Sequence, residues 1–186
     1  MSSLFVEPIT SEEALREGAT AEDLAIVARF TSEHRRREVL AWRSVVRREL
    51  GNDCTIGYDE WGAPIVGTPN THIGISHCRD LVAVIISDAP CAIDIEERGR
   101  NFERVWERYM TTEERALSAD TDWLAKVWCA KEALYKYYRK GGVDIRKDIK
   151  ILGYKADSES LQAAIFDTRL EVKVESQGDY IVATID

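Results

Sequence analysis

The sequence predicts an α+β fold in which helices pack against small, mainly antiparallel sheets. Strand-like alternation recurs in short runs along the chain, whereas residues 32–50 and 122–139 carry the helical spacing of apolar residues instead. From residue 149 onward, four strand-like runs follow one another with no helical pattern between them, as in an antiparallel sheet. No internal sequence repeat is visible, and a division into two halves is expected near residues 87–90.

The first half of the chain is predicted to begin with one strand and three helices. Ser32 is a suitable N-cap for the longest of these helices, and Gly51 is expected to end it. Three strands follow, and the last of them is apolar on both faces, which is typical of a buried strand. The expected helices and strands are residues 4–9, 11–18, 21–30, 32–50, 54–58, 72–76 and 81–87.

The second half is predicted to place its helices before its final strands. Residues 102–110 are expected to form a helix, and Thr111 with Glu114 fits the capping box of the next one. The helix of residues 122–139 is expected to end at the glycine pair 141–142. The final strands are expected at residues 149–154, 161–166, 169–175 and 180–185.

The composition describes a globular protein and argues against several functional classes. Apolar residues make up 45% of the 186 residues and include five tryptophans, enough for the core of one large domain or two small ones. A net charge of −8 argues against a general nucleic-acid binder, which needs a basic surface. No apolar run is long enough to span a membrane, and the N-terminus lacks the pattern of a secretory signal.

The cysteines indicate a reducing environment. None of the four shows the C-x-x-C spacing that is common in metal-binding and redox-active sites. We therefore interpret them as reduced, partly buried thiols of a cytoplasmic protein. They are Cys54, Cys78, Cys91 and Cys129.

Three carboxylates form a candidate metal site. Asp94 and Glu96 lie two residues apart in a β-branched run, so a strand would put both on one face, about 6.6 Å apart. Glu132 lies in the second long helical pattern and can supply a third oxygen if that helix packs beside the strand. Carboxylates with room for water and phosphate are the usual ligands of Mg²⁺. Taken alone, Glu132 and Lys136 would be a surface ion pair at i,i+4.

Two motifs contain these acids. The first is AIDIE at residues 92–96, and the second is WCAKEALYK at residues 128–136. Together they resemble the paired signature of the 4′-phosphopantetheinyl transferases, Gly-(Ile/Val)-Asp-x-Glu followed by Trp-(Ser/Cys/Thr)-x-Lys-Glu-(Ala/Ser)-x-x-Lys. Ile75-Ser76-His77 is similar to the Ile-Ser-His of the longer, pseudodimeric branch, the type that activates surfactin synthetase. The resemblance covers residues 32–142.

The resemblance implies a particular architecture. Members of the pseudodimeric branch have two similar α+β halves with the active site between them. In this chain the N-terminal subdomain would be residues 1–88 and the C-terminal subdomain residues 89–186. An enzyme that already contains two such halves has no need to oligomerise, so a monomer is expected.

The resemblance also implies a reaction, the holo-[acyl-carrier-protein] synthase activity. The 4′-phosphopantetheine arm of coenzyme A would move to a serine of an apo acyl, peptidyl or aryl carrier protein, and adenosine 3′,5′-bisphosphate would be released. Mg²⁺ held by Asp94, Glu96 and Glu132 would bridge the two phosphates, and Lys136 would add a second positive charge. The serine proton could go to Glu132 itself or to a metal-bound water.

Further residues are expected to bind the coenzyme. The resemblance implies that Ser76 and His77 hydrogen-bond its phosphates. Residues 29–48 contain seven arginines, whose guanidinium groups suit phosphate oxygens, although such a run is otherwise an ordinary solvated helix face. This helix could also serve the carrier protein. The coenzyme-binding candidates are Arg36, Arg37 and Arg43.

Two positions depart from the family pattern. Ala92 stands where the family usually has glycine. Ala63 stands where the family often has a lysine that reaches the ribose phosphate of the coenzyme. In this chain the contact to the ribose phosphate is therefore missing or comes from an arginine. Because of these departures, the sequence is also compatible with a non-catalytic relative that binds coenzyme A or a carrier protein. A Mg²⁺-dependent phosphohydrolase could use the same acids. The family also carries an acid near Glu114, which could act in the site as well as in its cap.

Overall fold

Ten strands and five α-helices form the computed structural model, which describes residues 1–186. All strand pairs are antiparallel, so the predicted α+β class with antiparallel sheets is confirmed. In chain order the elements are β1 (Ser2–Pro8), α1 (Glu12–Glu17), α2 (Ala21–Val27), α3 (Glu33–Leu50), β2 (Ile56–Tyr58), β3 (Pro64–Val66), β4 (His72–Cys78), β5 (Leu81–Ser87), β6 (Ala92–Glu97), α4 (Thr112–Arg115), α5 (Trp123–Tyr138), β7 (Ile149–Lys155), β8 (Ser160–Ile165), β9 (Thr168–Gln177) and β10 (Tyr180–Ile185).

The first sheet has the strand order β1-β5-β4, with β5 in the centre. Helix α3 covers one face of this sheet, because its apolar stripe, which includes Val39 and Val46, packs with Val82 and Val84 in one buried cluster. The hydroxyl of Ser32 caps α3 as predicted, by accepting the backbone N–H of Arg35. A short hairpin, β2–β3, stands apart from both larger sheets.

The second sheet has the order β6-β10-β9-β8-β7. Helix α5 lies on one face of this sheet, where Ala130 and Leu134 belong to the same fully buried cluster as Val172, Val174 and Ile181. This cluster is the largest of the three apolar clusters of the molecule. It holds α5, which carries Glu132 and Lys136, against the strands.

The two sheets meet at a seam between β4 and β6. Ile85 packs there with Ile93 and Ile95 in a third apolar cluster. Gly74 permits the close approach, since a Cβ at this position would lie 2.8 Å from Ile85 Cγ2 and 3.0 Å from the Cα of Ala92. The methyl group of Ala92 is buried in this seam. The glycine that the backbone contact requires is thus on β4, opposite Ala92.

Two local predictions were wrong. Residues 102–110 do not form an α-helix but two single 3₁₀ turns, because Val105 between them, at φ −131° and ψ −3°, interrupts the helical backbone. The break lets Phe102 and Tyr109 both turn into the core. Helix α5 ends at Tyr138 rather than at the glycine pair, since Arg139 takes a left-handed conformation with φ +52°.

The cysteines agree with the prediction of unpaired thiols. All four cysteines are free, and three of them are buried. None of the helices combines the length and the apolar character that crossing a bilayer requires.

Candidate active site

Asp94 on β6 is the centre of the candidate site. Its side chain is almost fully buried, and its Oδ1 accepts hydrogen bonds from Ser76 Oγ at 2.9 Å and from Lys136 Nζ at 2.7 Å. Its Oδ2 is also buried but has no hydrogen-bond partner. A buried carboxylate oxygen without a donor is energetically costly. This oxygen therefore marks a position that suits a cation.

Glu96 lies two residues further along β6, on the same side of the strand as Asp94. Trp128 Nε1 on α5 donates a hydrogen bond to Glu96 Oε1 at 2.7 Å, and the guanidinium of Arg100 donates to the same oxygen at 2.9 Å. These contacts orient the carboxylate and use only one of its two oxygens. Trp128 is the first residue of the second motif, but its hydrogen bond to Glu96 was not predicted from the sequence.

Glu132 on α5 lies close enough to Asp94 and Glu96 for their charges to affect its pKa. Burial raises the pKa of Glu132, and the charges of Asp94 and Glu96 raise it further, whereas Lys136 lowers it. In the arrangement of the structure, no group of three or more His, Cys, Asp or Glu side chains is placed to hold a metal ion. The three acids thus influence one another without forming a closed ligand set.

Lys136 links the two halves of the molecule. From α5 its Nζ donates to Asp94 Oδ1 at 2.7 Å, to Ser76 Oγ at 2.9 Å and to the carbonyl oxygen of Ile93 at 3.2 Å. An ammonium group has three donors, so these contacts account for all of them. The side chain is one-third exposed, and it lines a cleft at the seam.

Ser76 and His77 point to opposite sides of β4, as neighbours on a strand do. Ser76 faces Asp94, and its Oγ also accepts the backbone N–H of Ile95. His77 faces α3, where its Nδ1 lies 2.9 Å from Glu38 Oε1. Burial lowers the pKa of His77, although the charge of Glu38 opposes this shift. The structure therefore brings Ser76 to the acids, and His77 to helix α3 instead.

The three candidate arginines of α3 hold the N-terminal elements together. Arg36 binds Glu12 with two nitrogens, and Arg37 donates to the backbone carbonyls of Ile9 and Thr10. These contacts fasten α1 and the end of β1 to α3. The structure places neither arginine in contact with the acids, and their binding of the coenzyme stays a prediction.

Arg43 is the most deeply buried of these three arginines. Its side chain is 0% exposed, and it forms ion pairs with Asp23 and Glu22 on α2. The 3.6-residue pattern places it correctly on a stripe of α3, but this stripe faces α2 rather than solvent. A fully enclosed guanidinium is a structural contact, so we withdraw Arg43 as a coenzyme ligand.

Glu114 and Lys131 form a buried ion pair beside the site. The predicted capping box is present, since Thr111 Oγ1 accepts the N–H of Glu114 and the carboxylate of Glu114 accepts the N–H of Thr111. The carboxylate also binds Lys131 Nζ at 2.8 Å and the N–H of Ile151. Burial lowers the pKa of Lys131, while Glu114 opposes the shift. The pair connects α5 to β7. No role for Lys131 was predicted from the sequence.

A cleft of about 320 Å³ opens at the seam next to Lys136. One wall is the turn between β2 and β3, with Trp61 and Ala63, and the floor is formed by Gly74 and Ile93. Its charged lining residues are all cations, and no carboxylate lines it, although the chain as a whole carries a net charge of −8. The cations are Lys136, Arg139 and Lys140.

Comparison with known families supports the reading of these motifs. A family model described as the 4′-phosphopantetheinyl transferase superfamily matches residues 90–185, which is just over half of the chain. The matched segment contains Asp94, Glu96, Glu132 and Lys136, whereas Ser76 lies outside it. No curated protein matches the chain.

Proposed function

Since the chain belongs to the 4′-phosphopantetheinyl transferase superfamily, we propose that it transfers the 4′-phosphopantetheine arm of coenzyme A to a serine of an apo carrier protein. The observation that carries this proposal is the buried, unpartnered Oδ2 of Asp94, with Lys136 on the other oxygen of the same carboxylate. A carboxylate oxygen without a hydrogen-bond partner suits a divalent cation, and the neighbouring lysine suits a diphosphate.

Mg²⁺ is the cation that we propose for Asp94, Glu96 and Glu132. Oxygen ligands are what this ion prefers, and each acid has at least one oxygen that accepts no hydrogen bond. When bound, Mg²⁺ would neutralise the charge that develops on the diphosphate as its P–O bond breaks. Burial raises the pKa of Glu132, and the charges of Asp94 and Glu96 raise it further; a cation bound by the three acids would offset both effects.

Lys136 and Ser76 prepare the site for the diphosphate of coenzyme A. The lysine is a compact point charge on a flexible stem, and it can turn from Asp94 towards phosphate oxygens without leaving the seam. Ser76 donates to Asp94 and accepts from Lys136, so it fixes both side chains relative to each other. Phosphoryl transfer depends mainly on such positioning and on charge neutralisation.

Glu132 is the proton acceptor that we propose. A bond forms between the serine oxygen of the carrier and the phosphorus that carries the pantetheine arm. The bond from that phosphorus to the bridging oxygen breaks, and its electron pair leaves with adenosine 3′,5′-bisphosphate. The serine proton would pass to the carboxylate of Glu132, which would act as the general base.

We also propose that the chain acts as a monomer of the pseudodimeric type, with subdomains of residues 1–88 and 89–186. In support, each part has one long helix packed on an antiparallel sheet, and the connection from β5 to β6 joins them. The acids and the cleft lie along the seam between the two sheets. Free cysteines support a reducing compartment such as the cytoplasm.

The direct test is a transfer assay with a panel of apo acyl, peptidyl and aryl carrier proteins. Incubation with coenzyme A and Mg²⁺ is expected to add the mass of one phosphopantetheine arm to at least one carrier, as seen by intact-protein mass spectrometry. A carrier with its acceptor serine replaced by alanine serves as the control and gains no mass.

Two other results would contradict the proposal. Binding of coenzyme A with no mass gain on any carrier would indicate a non-catalytic binding protein. Release of adenosine 3′,5′-bisphosphate in the absence of a carrier would indicate a phosphohydrolase. Gly74 on β4 allows a close approach to the backbone of Ala92, which is compatible with alanine at this position of the family motif.

Glu132→Gln is expected to raise the melting temperature of the metal-free protein at neutral pH. Folding raises the pKa of Glu132, so the penalty for its charge is absent below the ordinary pKa of a glutamate and grows as the pH rises through the raised value. In a domain of this size, ~2–4 °C corresponds to 1 kcal/mol. The gain is expected to disappear at acidic pH, which thermal melts in EDTA across a pH series would check.

The Glu132→Gln variant also tests whether Glu132 binds Mg²⁺. Mg²⁺ is expected to stabilise the wild-type protein and to stabilise the Glu132→Gln variant much less, because one ligand is lost. The exposed Glu107→Gln variant, whose side chain forms no ion pair, is the matched control. Equal stabilisation of all three proteins by Mg²⁺ would contradict the assigned ligand set.

A further inference from the structure

The two acids of β6 share one pattern of hydrogen bonds. Asp94 Oδ1 accepts from Ser76 Oγ and from Lys136 Nζ, while its Oδ2 has no partner. Glu96 Oε1 also accepts from two donors, and its Oε2 accepts no hydrogen bond. A carboxylate oxygen has about two lone-pair sites. One oxygen of each acid is therefore fully used by the protein, and the other is left for a ligand.

Arg100 supplies the charged donor on Glu96. Its guanidinium donates to Oε1 at 2.9 Å, and Trp128 Nε1 donates to the same oxygen at 2.7 Å. The guanidinium also lies over two aromatic rings, 5.4 Å from the centroid of Phe102 and 5.6 Å from that of Trp128. Cation–π contacts attract a guanidinium to such rings. The two rings thus support the hydrogen bond of a side chain that is 49% exposed.

A contribution to stability does not account for the contact between Arg100 and Glu96. The two residues are four positions apart, and a half-exposed ion pair contributes little to the free energy of folding. The consequence for Glu96 is larger, because hydrogen bonds to a ligating carboxylate fix its orientation. Arg100 lies outside both motifs, residues 92–96 and 128–136, so the resemblance implies no role for it.

The number of oxygens that each acid can offer bears on which cation fits. Mg²⁺ requires a near-ideal octahedron of ligands at about 2.0–2.1 Å and keeps several waters. Ca²⁺ takes about six to eight oxygens in a flexible geometry and can bind both oxygens of one carboxylate. Since Oδ1 of Asp94 and Oε1 of Glu96 already accept two hydrogen bonds each, both acids are limited to one oxygen. This arrangement suits Mg²⁺ better than Ca²⁺.

We infer that Arg100 is a positioning residue which, together with Trp128, limits Glu96 to a single oxygen and so makes the site selective for Mg²⁺ over Ca²⁺. The inference rests on the proposed function, because it concerns the metal that we propose for these acids. The positive charge of Arg100 opposes both ions alike, since they carry the same charge. The hydrogen bonds on Oε1, in contrast, affect mainly the ion that would use this oxygen.

The test measures the affinity for each ion from the rise in melting temperature of EDTA-treated protein with Mg²⁺ or Ca²⁺ concentration. The wild type is expected to bind Mg²⁺ more tightly. Loss of the contacts that orient a metal ligand typically weakens metal binding about 10- to 100-fold. In the double variant Arg100→Ala, Trp128→Phe, Ca²⁺ regains part of this loss through the freed Oε1, whereas Mg²⁺ does not. The ratio of Ca²⁺ to Mg²⁺ affinity is therefore expected to rise about 10-fold.

The single variants separate the two donors. Arg100→Ala and Trp128→Phe are each expected to shift the ratio in the same direction by a smaller factor, because one donor stays on Oε1. Arg100→Lys keeps a charged donor and is expected to stay closer to the wild type than Arg100→Ala. Arg104→Ala removes an exposed arginine of the same segment that forms no ion pair. It is the matched control and is expected to leave the ratio unchanged.

Three results would overturn the inference. The first is an unchanged ratio in the double variant and in both single variants. The second is a loss of affinity by the same factor for both ions, which would show that Arg100 and Trp128 serve the site without selecting the metal. The third is a wild-type protein that binds Ca²⁺ as tightly as Mg²⁺.

These measurements need no carrier protein, so they separate the inference from the proposed function. Modification of a carrier in the presence of Mg²⁺, together with an unchanged ratio in the variants, would support the transferase and overturn the selectivity role of Arg100. A shifted ratio without modification of any carrier would support the role of Arg100 and contradict the transferase.

Discussion

Asp94→Asn is expected to lower kcat/KM for carrier modification by at least about 10³-fold. The substitution keeps the shape of the side chain but removes the negative charge that pairs with Lys136 and that is proposed to bind Mg²⁺ through the unpartnered Oδ2. A bound metal ion contributes several kcal/mol of charge stabilisation in such reactions, and each 1.36 kcal/mol corresponds to a factor of about ten in rate. Initial rates of carrier modification, followed by mass spectrometry, provide the measurement.

Glu97→Gln is the matched control for this experiment. Glu97 follows Glu96 on β6 but forms its ion pair with Arg79, away from the acids. It is expected to leave kcat/KM within about twofold of the wild type, since removing one partly exposed ion pair has little effect. If Asp94→Asn retained more than a tenth of the activity while folding normally, Asp94 would not be the centre of the site.

Asp23→Asn is expected to produce the largest loss of stability. Asp23 on α2 is buried and binds the two buried arginines Arg43 and Arg47, and it also completes the capping box with Thr20. Removing one partner of a buried ion pair leaves an uncompensated charge, which costs about 3–5 kcal/mol. Urea unfolding, followed by tryptophan fluorescence, would measure the change in the free energy of unfolding.

The pH dependence of this contribution has a definite sign. Burial alone would raise the pKa of Asp23, but hydrogen bonds from Arg47, Arg43 and Thr20 outweigh it and lower the pKa to about 2. The stabilisation is therefore fully present above the ordinary pKa of an aspartate and is lost as the pH falls towards 2. The difference between wild type and Asp23→Asn should accordingly shrink in strongly acidic solution.

Glu12→Gln serves as the control for Asp23. Its partner Arg36 is partly exposed, and solvent screens the pair, so the expected loss of stability is smaller than that at Asp23. A loss at Asp23 no larger than that at Glu12 would show that the buried arginines are stabilised by other contacts. The comparison also tests whether the arginines of α3 serve the fold, as their contacts indicate.

The sequence alone was sufficient for features that depend on local chemistry. Alternation of apolar residues located the final strands, and the capping box of Thr111 and Glu114 formed as predicted, because both depend on residues a few positions apart. The family motif likewise predicted that Asp94, Glu132 and Lys136 belong together, and Lys136 does contact Asp94 in the structure. The prediction of a helix at residues 102–110 was wrong because long-range packing decides the backbone there: burial of aromatic side chains outweighs the helical spacing.

The partner of each charged side chain was decided only by the tertiary structure. A stripe of arginines on α3 has the same spacing whether it faces solvent, a phosphate or α2, and only the packing of α2 against α3 turns Arg43 inward. His77 is adjacent to Ser76 in sequence but faces α3, because neighbouring residues of a strand point to opposite sides. Arg139 meets β4 only where the two sheets approach at Gly74. Short-range patterns thus determined which groups are available, and long-range packing determined which of them meet, since burial depends on elements that are distant in the chain.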